Sequence, residues 1–365
     1  MDIKPLPMTH WSGLDRKPLV IAGPCAAETE EQVLETARRM AGANVHYLRA
    51  GIWKARTRPG SFEGIGARAL PWLRRAGAEF DLKTATEVAQ PTHVELALKH
   101  GIDLLWIGAR TTVNPFSVQE LANALRGTDV PVLIKNPTSP DLALWIGAIE
   151  RVHSAGVGAL GVIHRGFSTS GKSSYRNEPM WNIVMELRQT MPKLPIITDP
   201  SHITGRRDLI QDISQRAMDF GIDGLMIGTH PTPNQAWSDA AQQIMPERLG
   251  EILGQLHVRR SGTDDDSANR ALAELREAID QIDRNLLSVL TERLSVIKRI
   301  AEWKRAENVT PFQVARWNEL LEDRVSLGSL LGLNEEYVKA IYKVIHREAV
   351  RQQNWIMDEE EPLDT

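Results

Sequence analysis

At 365 residues the chain is long for one domain, so two are expected. A formal net charge of −4, with 42% hydrophobic and 25% charged residues, leaves no global basic field for a nucleic-acid backbone to follow. No apolar run approaches the ~18 residues needed to span a bilayer, the opening MDIKPLPMTHWSG lacks a secretory pattern, and the one cysteine cannot close an internal disulfide. The expected setting is the cytoplasm, with neither nucleic-acid nor membrane partners.

From residue 17 to 256, short apolar runs alternate with amphipathic segments. The runs at 18–24, 46–53, 80–86, 103–109, 131–136, 157–164, 195–199 and 223–229 read as strands. The segments at 28–41, 66–76, 91–100, 117–126, 141–155, 179–189, 206–219 and 235–255 read as helices. Eight such repeats predict a TIM-type (β/α)8 barrel over 1–257. A doubly wound open sheet competes, but it needs a glycine-rich turn after its first strand, and AGPC is not that fingerprint.

Five cations stand at the downstream ends of the runs: Arg49, Lys54, Arg110, Lys135 and Arg165. Two further runs end in candidate metal ligands, LVIAGPC in Cys25 and PIITDPSH in His202. A parallel barrel opens the carboxyl ends of all its strands onto one face, so these side chains are expected to converge there. Five cations around one mouth call for a strongly anionic, phosphorylated substrate.

Near residue 258 the pattern changes, and 258–267 reads as an exposed polar linker. Beyond it Leu272, Leu275, Ile279, Ile282, Leu286, Leu290, Leu294, Ile297 and Ile300 recur every three or four positions. This predicts one amphipathic helix of roughly 35 residues, about 50 Å long. Two shorter helices are expected at 312–328 and 334–355, after Pro311, giving an all-helical domain over 268–355. Three helices cannot bury so long a stripe, so a homodimer with paired helices is expected. The acidic tail, 356–365, reads as disordered.

The ordered fragments AGPC, RAGIWKART, GAR, IKN, HRGF and DPSH resemble 3-deoxy-D-arabino-heptulosonate 7-phosphate (DAHP) synthases. The resemblance implies a metal-dependent condensation of phosphoenolpyruvate with erythrose 4-phosphate that releases phosphate. It implies that Arg49 and Lys135 hold the phosphoenolpyruvate carboxylate, and Arg110 and Arg165 its phosphate. Lys54 would lie between the substrates, and Arg56 and Thr57 would receive the aldose phosphate. A related synthase, which builds an eight-carbon sugar acid from arabinose 5-phosphate, is distinguished by Lys-Ala-Asn-Arg-Ser where this chain has Lys54-Ala55-Arg56-Thr57. Ala55 itself departs from the proline usual in DAHP synthases.

For a divalent ion such as Mn2+, Cys25, His202 and Asp239 match three of the family's four ligands. The fourth, a glutamate, falls on Gly228, which offers no donor; His230 or water is the expected substitute. In the helical part, LREAIDQIDRNLLSVLTERLSVIKRIAEWK resembles the first helix of all-helical chorismate mutases. That likeness implies binding of chorismate by Arg276, Arg293, Lys304, Arg316 and Gln353, with Arg276 serving a neighbouring subunit. Gln313, Trp317 and Ala349 depart from it. Lys54, His202, Lys304 and Gln353 are thus the expected catalytic residues of a bifunctional enzyme. The rival reading is a mutase whose barrel has become a scaffold or regulatory partner, which Gly228 favours.

Overall fold

The computed structural model describes residues 3–14, 18–56, 60–171, 173–259 and 262–358. Eight strands, β1 (Leu19–Gly23), β2 (Tyr47–Arg49), β3 (Lys83–Val88), β4 (Leu104–Ile107), β5 (Val132–Lys135), β6 (Leu160–His164), β7 (Ile196–Thr198) and β8 (Gly224–Gly228), close in sequence order into a barrel. Every neighbouring pair is parallel, and β1 meets β8 with Gly23 opposite Gly228. The pairing follows from side-chain alternation. Leu19, Ile21, Leu104, Trp106, Leu133, Ile163, Ile197 and Met226 fill the interior, while Val20, Ala22, Leu48, Leu105, Val132 and Val162 turn outward to the helices.

The helices of this part are α1 (Met8–Ser12), α2 (Glu30–Met40), α3 (Leu70–Glu79), α4 (Pro91–Lys99), α5 (Ala109–Thr112), α6 (Pro115–Ala124), α7 (Leu142–Ser154), α8 (Trp181–Thr190), α9 (Pro200–Thr204), α10 (Ile210–Asp219) and α11 (Pro246–Gln255). Local chemistry starts several of them. Thr29, Asn114, Asp141 and Asp199 accept hydrogen bonds from first-turn amides, and prolines open α4, α6, α9 and α11. Helix α1 was not legible from hydropathy. It sets Trp11 against the barrel's interior residues with Met8 and Leu14, and Lys83 donates to the Trp11 and Ser12 carbonyls at 3.3 and 3.1 Å.

One predicted helix is corrected. Instead of a helix over 235–255, α11 begins at Pro246, and 229–245 is a loop with two single 3-10 turns. Asp239 takes a left-handed conformation there (φ 52), which ends any α-helical path. This loop supplies much of the site.

The chain divides into two compact units, Met1–Ser261 and Gly262–Thr365. The second contains α12 (Asp266–Ala306), α13 (Val314–Leu330) and α14 (Glu335–Asp358). Asp265 caps α12 by accepting from Ser267 and Ala268 amides, so the helix starts inside the segment read as linker and runs 41 residues. Small residues allow the close approach of α13 to α14: a Cβ on Gly328 would lie 2.6 Å from Val338. The stripe on α12 faces outward, with Leu275 65%, Ile279 58%, Ile282 63% and Leu286 54% exposed. Of the acidic tail, α14 takes in the residues as far as Asp358, and 359–365 lie outside the described residues.

Candidate functional site

Cys25 follows β1, His202 lies in α9 after β7, and Asp239 lies in the loop after β8. Their donor atoms all fall within 4.8 Å of one another. Two glycines allow the strand ends to crowd this closely. A Cβ on Gly23 would strike the Arg49 carbonyl at 2.1 Å, and one on Gly51 the Cys25 carbonyl at 2.3 Å.

Asp199 orients His202. One carboxylate oxygen accepts from the His202 amide at 3.1 Å, and the other lies 2.8 Å from its Nδ1. A carboxylate set against one ring nitrogen in this way is common among histidines that bind a metal through the other. Burial pushes the His202 pKa down to about 4 against the pull of Asp199, so the ring is neutral near pH 7, as a ligand must be. Burial opposes ionisation of Asp239 too, but Lys54 at 3.1 Å and Arg176 at 3.1 Å hold its carboxyl well below the usual range. Burial raises the Cys25 thiol. One thiol, one imidazole and one carboxylate in reach of each other fit a divalent ion.

Gly228 closes β8 beside this cluster. His230 does not replace the missing carboxylate: its Nε2 lies 3.3 Å from Glu28, and its Nδ1 accepts from the Thr232 amide at 3.0 Å. Both ring nitrogens are engaged away from the metal donors.

Four of the five cations sit around the same mouth in distinct states. Arg49 is 2% exposed; its guanidinium lies 5.1 Å above the Trp106 ring, and its Nε and Nη1 have no hydrogen-bond partner. Lys135 approaches the same ring at 5.8 Å and donates to Asp199 at 2.9 Å. Trp106 is fixed in turn by its Nε1–H, which donates to Glu87 at 2.9 Å. A buried guanidinium with unused donors is costly unless an anion meets it. Arg165 donates to Asn177 at 2.7 Å; burial draws its pKa down to about 10, with Arg176 and Arg110 adding to the effect. Lys54 bridges the Cys25 carbonyl (2.8 Å) and Asp239.

Arg110, the fifth, is exposed and donates to the Ala55 carbonyl at 3.2 Å. Arg56 donates to the Phe62 carbonyl at 2.8 Å and stands 4.0 Å from Asp239. Thr57 lies outside the described residues. Sequence reading passed over Glu87, Asn136, Asp199 and Arg176. Asn136 and Asp199 lie inside the quoted motifs IKN and DPSH; Asn136 accepts from the Arg165 amide at 2.7 Å and donates to the Gly166 carbonyl at 2.8 Å, fixing the turn that presents Arg165.

In the helical unit, Lys304 on α12 and Gln353 on α14 are buried in packed helices. Lys304 donates to the Pro311 carbonyl at 2.7 Å, and burial lowers its pKa. Gln353 donates to the Ala349 carbonyl at 3.2 Å, and its Oε1 is buried without a partner. Arg293 is half-buried near His346, on which Trp317 stacks at 4.0 Å. Arg316 is exposed and paired with Glu319 at 2.7 Å. Arg276 is exposed. Along one α-helix, Arg276 and Lys304 are about 42 Å apart at ~1.5 Å per residue, so one chain cannot bring them to one small ligand.

Comparison with known proteins agrees with both halves. The DAHP synthetase I family model matches residues 5–261, and the chorismate mutase type II model matches 275–354. Over 237 residues the chain is 32% identical to the phospho-2-dehydro-3-deoxyheptonate aldolase of Thermotoga maritima, covering 65% of this chain and 68% of that one. It is 28% identical to a 2-dehydro-3-deoxyphosphooctonate aldolase of Alkalilimnicola ehrlichii, over 66% of this chain and 90% of the relative. A crystal structure of the Thermotoga maritima heptonate aldolase superposes with a TM-score of 0.59 at 30% identity, covering 65% of this chain and 67% of the other. The chain therefore belongs to the DAHP synthetase I family and carries a type II chorismate mutase as its second enzyme.

Proposed function

We propose that the barrel condenses phosphoenolpyruvate with erythrose 4-phosphate in a metal-dependent reaction, and that the helical unit converts chorismate to prephenate. The observation that carries the first part is the buried Arg49 guanidinium, with two unpartnered nitrogens, next to Lys135 and within the mouth that holds the Cys25–His202–Asp239 cluster. Arg49 and Lys135 suit the carboxylate of phosphoenolpyruvate, with Trp106 as the floor under both cations. Arg165 and Arg110 suit its phosphate, and their charges stabilise that group as it leaves. Lys54, which reaches the Cys25 carbonyl and Asp239, is assigned the place between the two substrates, where it would donate to an aldehyde oxygen. Arg56 and Thr57 are assigned the aldose phosphate.

A divalent ion held by Cys25, His202 and Asp239 would supply Lewis acidity toward the aldehyde. The chain's own contribution is to hold the enolpyruvate carbon against the aldehyde carbon, which removes much of the entropic barrier. The carbon–carbon bond forms, water adds at the former enol carbon, and phosphate departs. In the mutase, no nucleophile is needed: Arg276 and Arg293 grip carboxylates, Lys304 and Gln353 face the ether oxygen, and Arg316 completes the cationic wall. The exposed stripe on α12 and the distance between Arg276 and Lys304 support a homodimer in which Arg276 crosses over.

The test is phosphoenolpyruvate consumption with erythrose 4-phosphate, comparing chelator-treated chain with chain resupplied with Mn2+ or Zn2+. Metal-dependent turnover is expected. Gly228 favours the second reading, a barrel retained as scaffold. Absence of turnover with every ion, while chorismate is still converted, would select it.

A further inference from the structure

The position of the missing carboxylate, Gly228, is closely lined by Cys25, Gln243 and Ser201. A Cβ built on Gly228 would lie 3.1 Å from Cys25 Sγ, 3.4 Å from Gln243 Cγ and 3.6 Å from Ser201 Oγ. A side chain here would need Cys25 Sγ to give by a few tenths of an ångström and would start in contact with a Gln243 methylene. Gln243 is 0% exposed and cannot itself swing in as a ligand. Its Oε1 accepts from the Cys25 amide at 2.8 Å, and its Nε2 donates to the Ser238 carbonyl at 2.9 Å, one residue before Asp239. Ser201 is likewise occupied, accepting from the Gly228 amide at 2.9 Å. The nearby carboxylates are committed elsewhere: Asp199 to Lys135 and His202, Glu28 to His230 and the Trp237 amide, Glu87 to Trp106.

We propose that Cys25, His202 and Asp239 form a three-donor, four-coordinate site completed by water, and that Gln243 is the positioning residue that keeps it so. The inference builds on the metal reading of the cluster but not on turnover by the barrel. One thiolate, one imidazole and one carboxylate with an open fourth position suit Zn2+ or Co2+. Ions that demand six oxygen-rich ligands, Mn2+ and Mg2+ among them, lose most from the absent carboxylate. Gln243 ties the Cys25 backbone to the Asp239 loop, so two of the three donors are spaced by a single side chain. Its Cγ also lies 3.4 Å from where a Cβ on Gly228 would stand.

The test is titration of the chelator-stripped full chain with Co2+ alone, followed by absorption. The expected spectrum at one equivalent has the intense visible bands of four-coordinate cobalt and a near-ultraviolet sulfur-to-cobalt band that Cys25→Ser abolishes. Gln243→Ala is expected to weaken the visible bands toward those of higher coordination and to lower Co2+ affinity by about 10–100-fold. Gly228→Glu combined with Gln243→Ala is expected to collapse the intense bands and to let Mn2+ compete. Should that double variant fail to fold, the spectra of the unaltered chain and of Gln243→Ala still decide. A weak six-coordinate spectrum from the unaltered chain, or intense bands that Gln243→Ala leaves unchanged, would overturn the proposal. Intense bands in a chain that does not consume phosphoenolpyruvate would leave it standing and remove only the synthase reading.

Discussion

Asp199 serves three partners at once. It caps α9, faces His202 and neutralises Lys135, all with no exposed surface. Burial works against its charge, but His202 and Lys135 hold its carboxyl well below the usual range. Removing one member of such a pair strands the other charge, so Asp199→Ala is expected to lower unfolding free energy by roughly 3–5 kcal/mol, read by urea titration. Asp199→Asn, which keeps the cap, should lose less.

His164 gives a pH signature of its own. It is the buried last residue of β6, its Nε2 2.6 Å from the Pro179 carbonyl, and burial lowers its pKa to about 4. An unfolded chain would protonate it near ~6.5. Its contribution to stability is therefore complete above ~6.5 and is lost as pH falls from there to about 4, because only the unfolded state takes up the proton in that window. His164→Asn is expected to show a smaller drop in stability between pH 7 and pH 5 than the unaltered chain. Equal drops would show that this ring does not titrate on unfolding.

Among the elements, the strand ends show what sequence could and could not reveal. All eight strands were legible because apolar runs of the right length alternate with helical periods, and cations marked the downstream ends of four of them, β2, β4, β5 and β6. Residues 235–245 were misread as helix because their Ala and Gln residues carry helical propensity, whereas a left-handed Asp239 and Pro246 decide the conformation. Partners such as Arg176 and Gln243 left no periodic mark. Their roles depend on which loop folds over which strand, and only tertiary structure supplies that. Gly228 was visible, but only as a missing donor; what fills the space beside it was not. Gly51 was visible only as a letter in a motif. Because its hydrogen faces the Cys25 carbonyl, Gly51→Ala is expected to spread β1 from β2 and cost about 10–100-fold in metal affinity, measured by competition with a chelator.

For the molecule as a whole, α12 carries the largest consequence. Its 41 residues present an apolar stripe that a second copy would cover, and Ile282→Glu is expected to shift the chain toward monomer in sedimentation velocity. On the proposed assignment of Arg276 and Lys304 to one mutase site, the same helix sets them too far apart for a single chain to complete it. Assay concentration then becomes a variable with structural meaning. On dilution below the dissociation constant of the pair, chorismate turnover per chain should fall in proportion to the total chain concentration. The barrel, whose candidate metal donors Cys25, His202 and Asp239 lie together in one chain, should keep a constant turnover number over the same series. One protein would thus return a specific activity that depends on how much of it is in the cuvette for one reaction and not for the other.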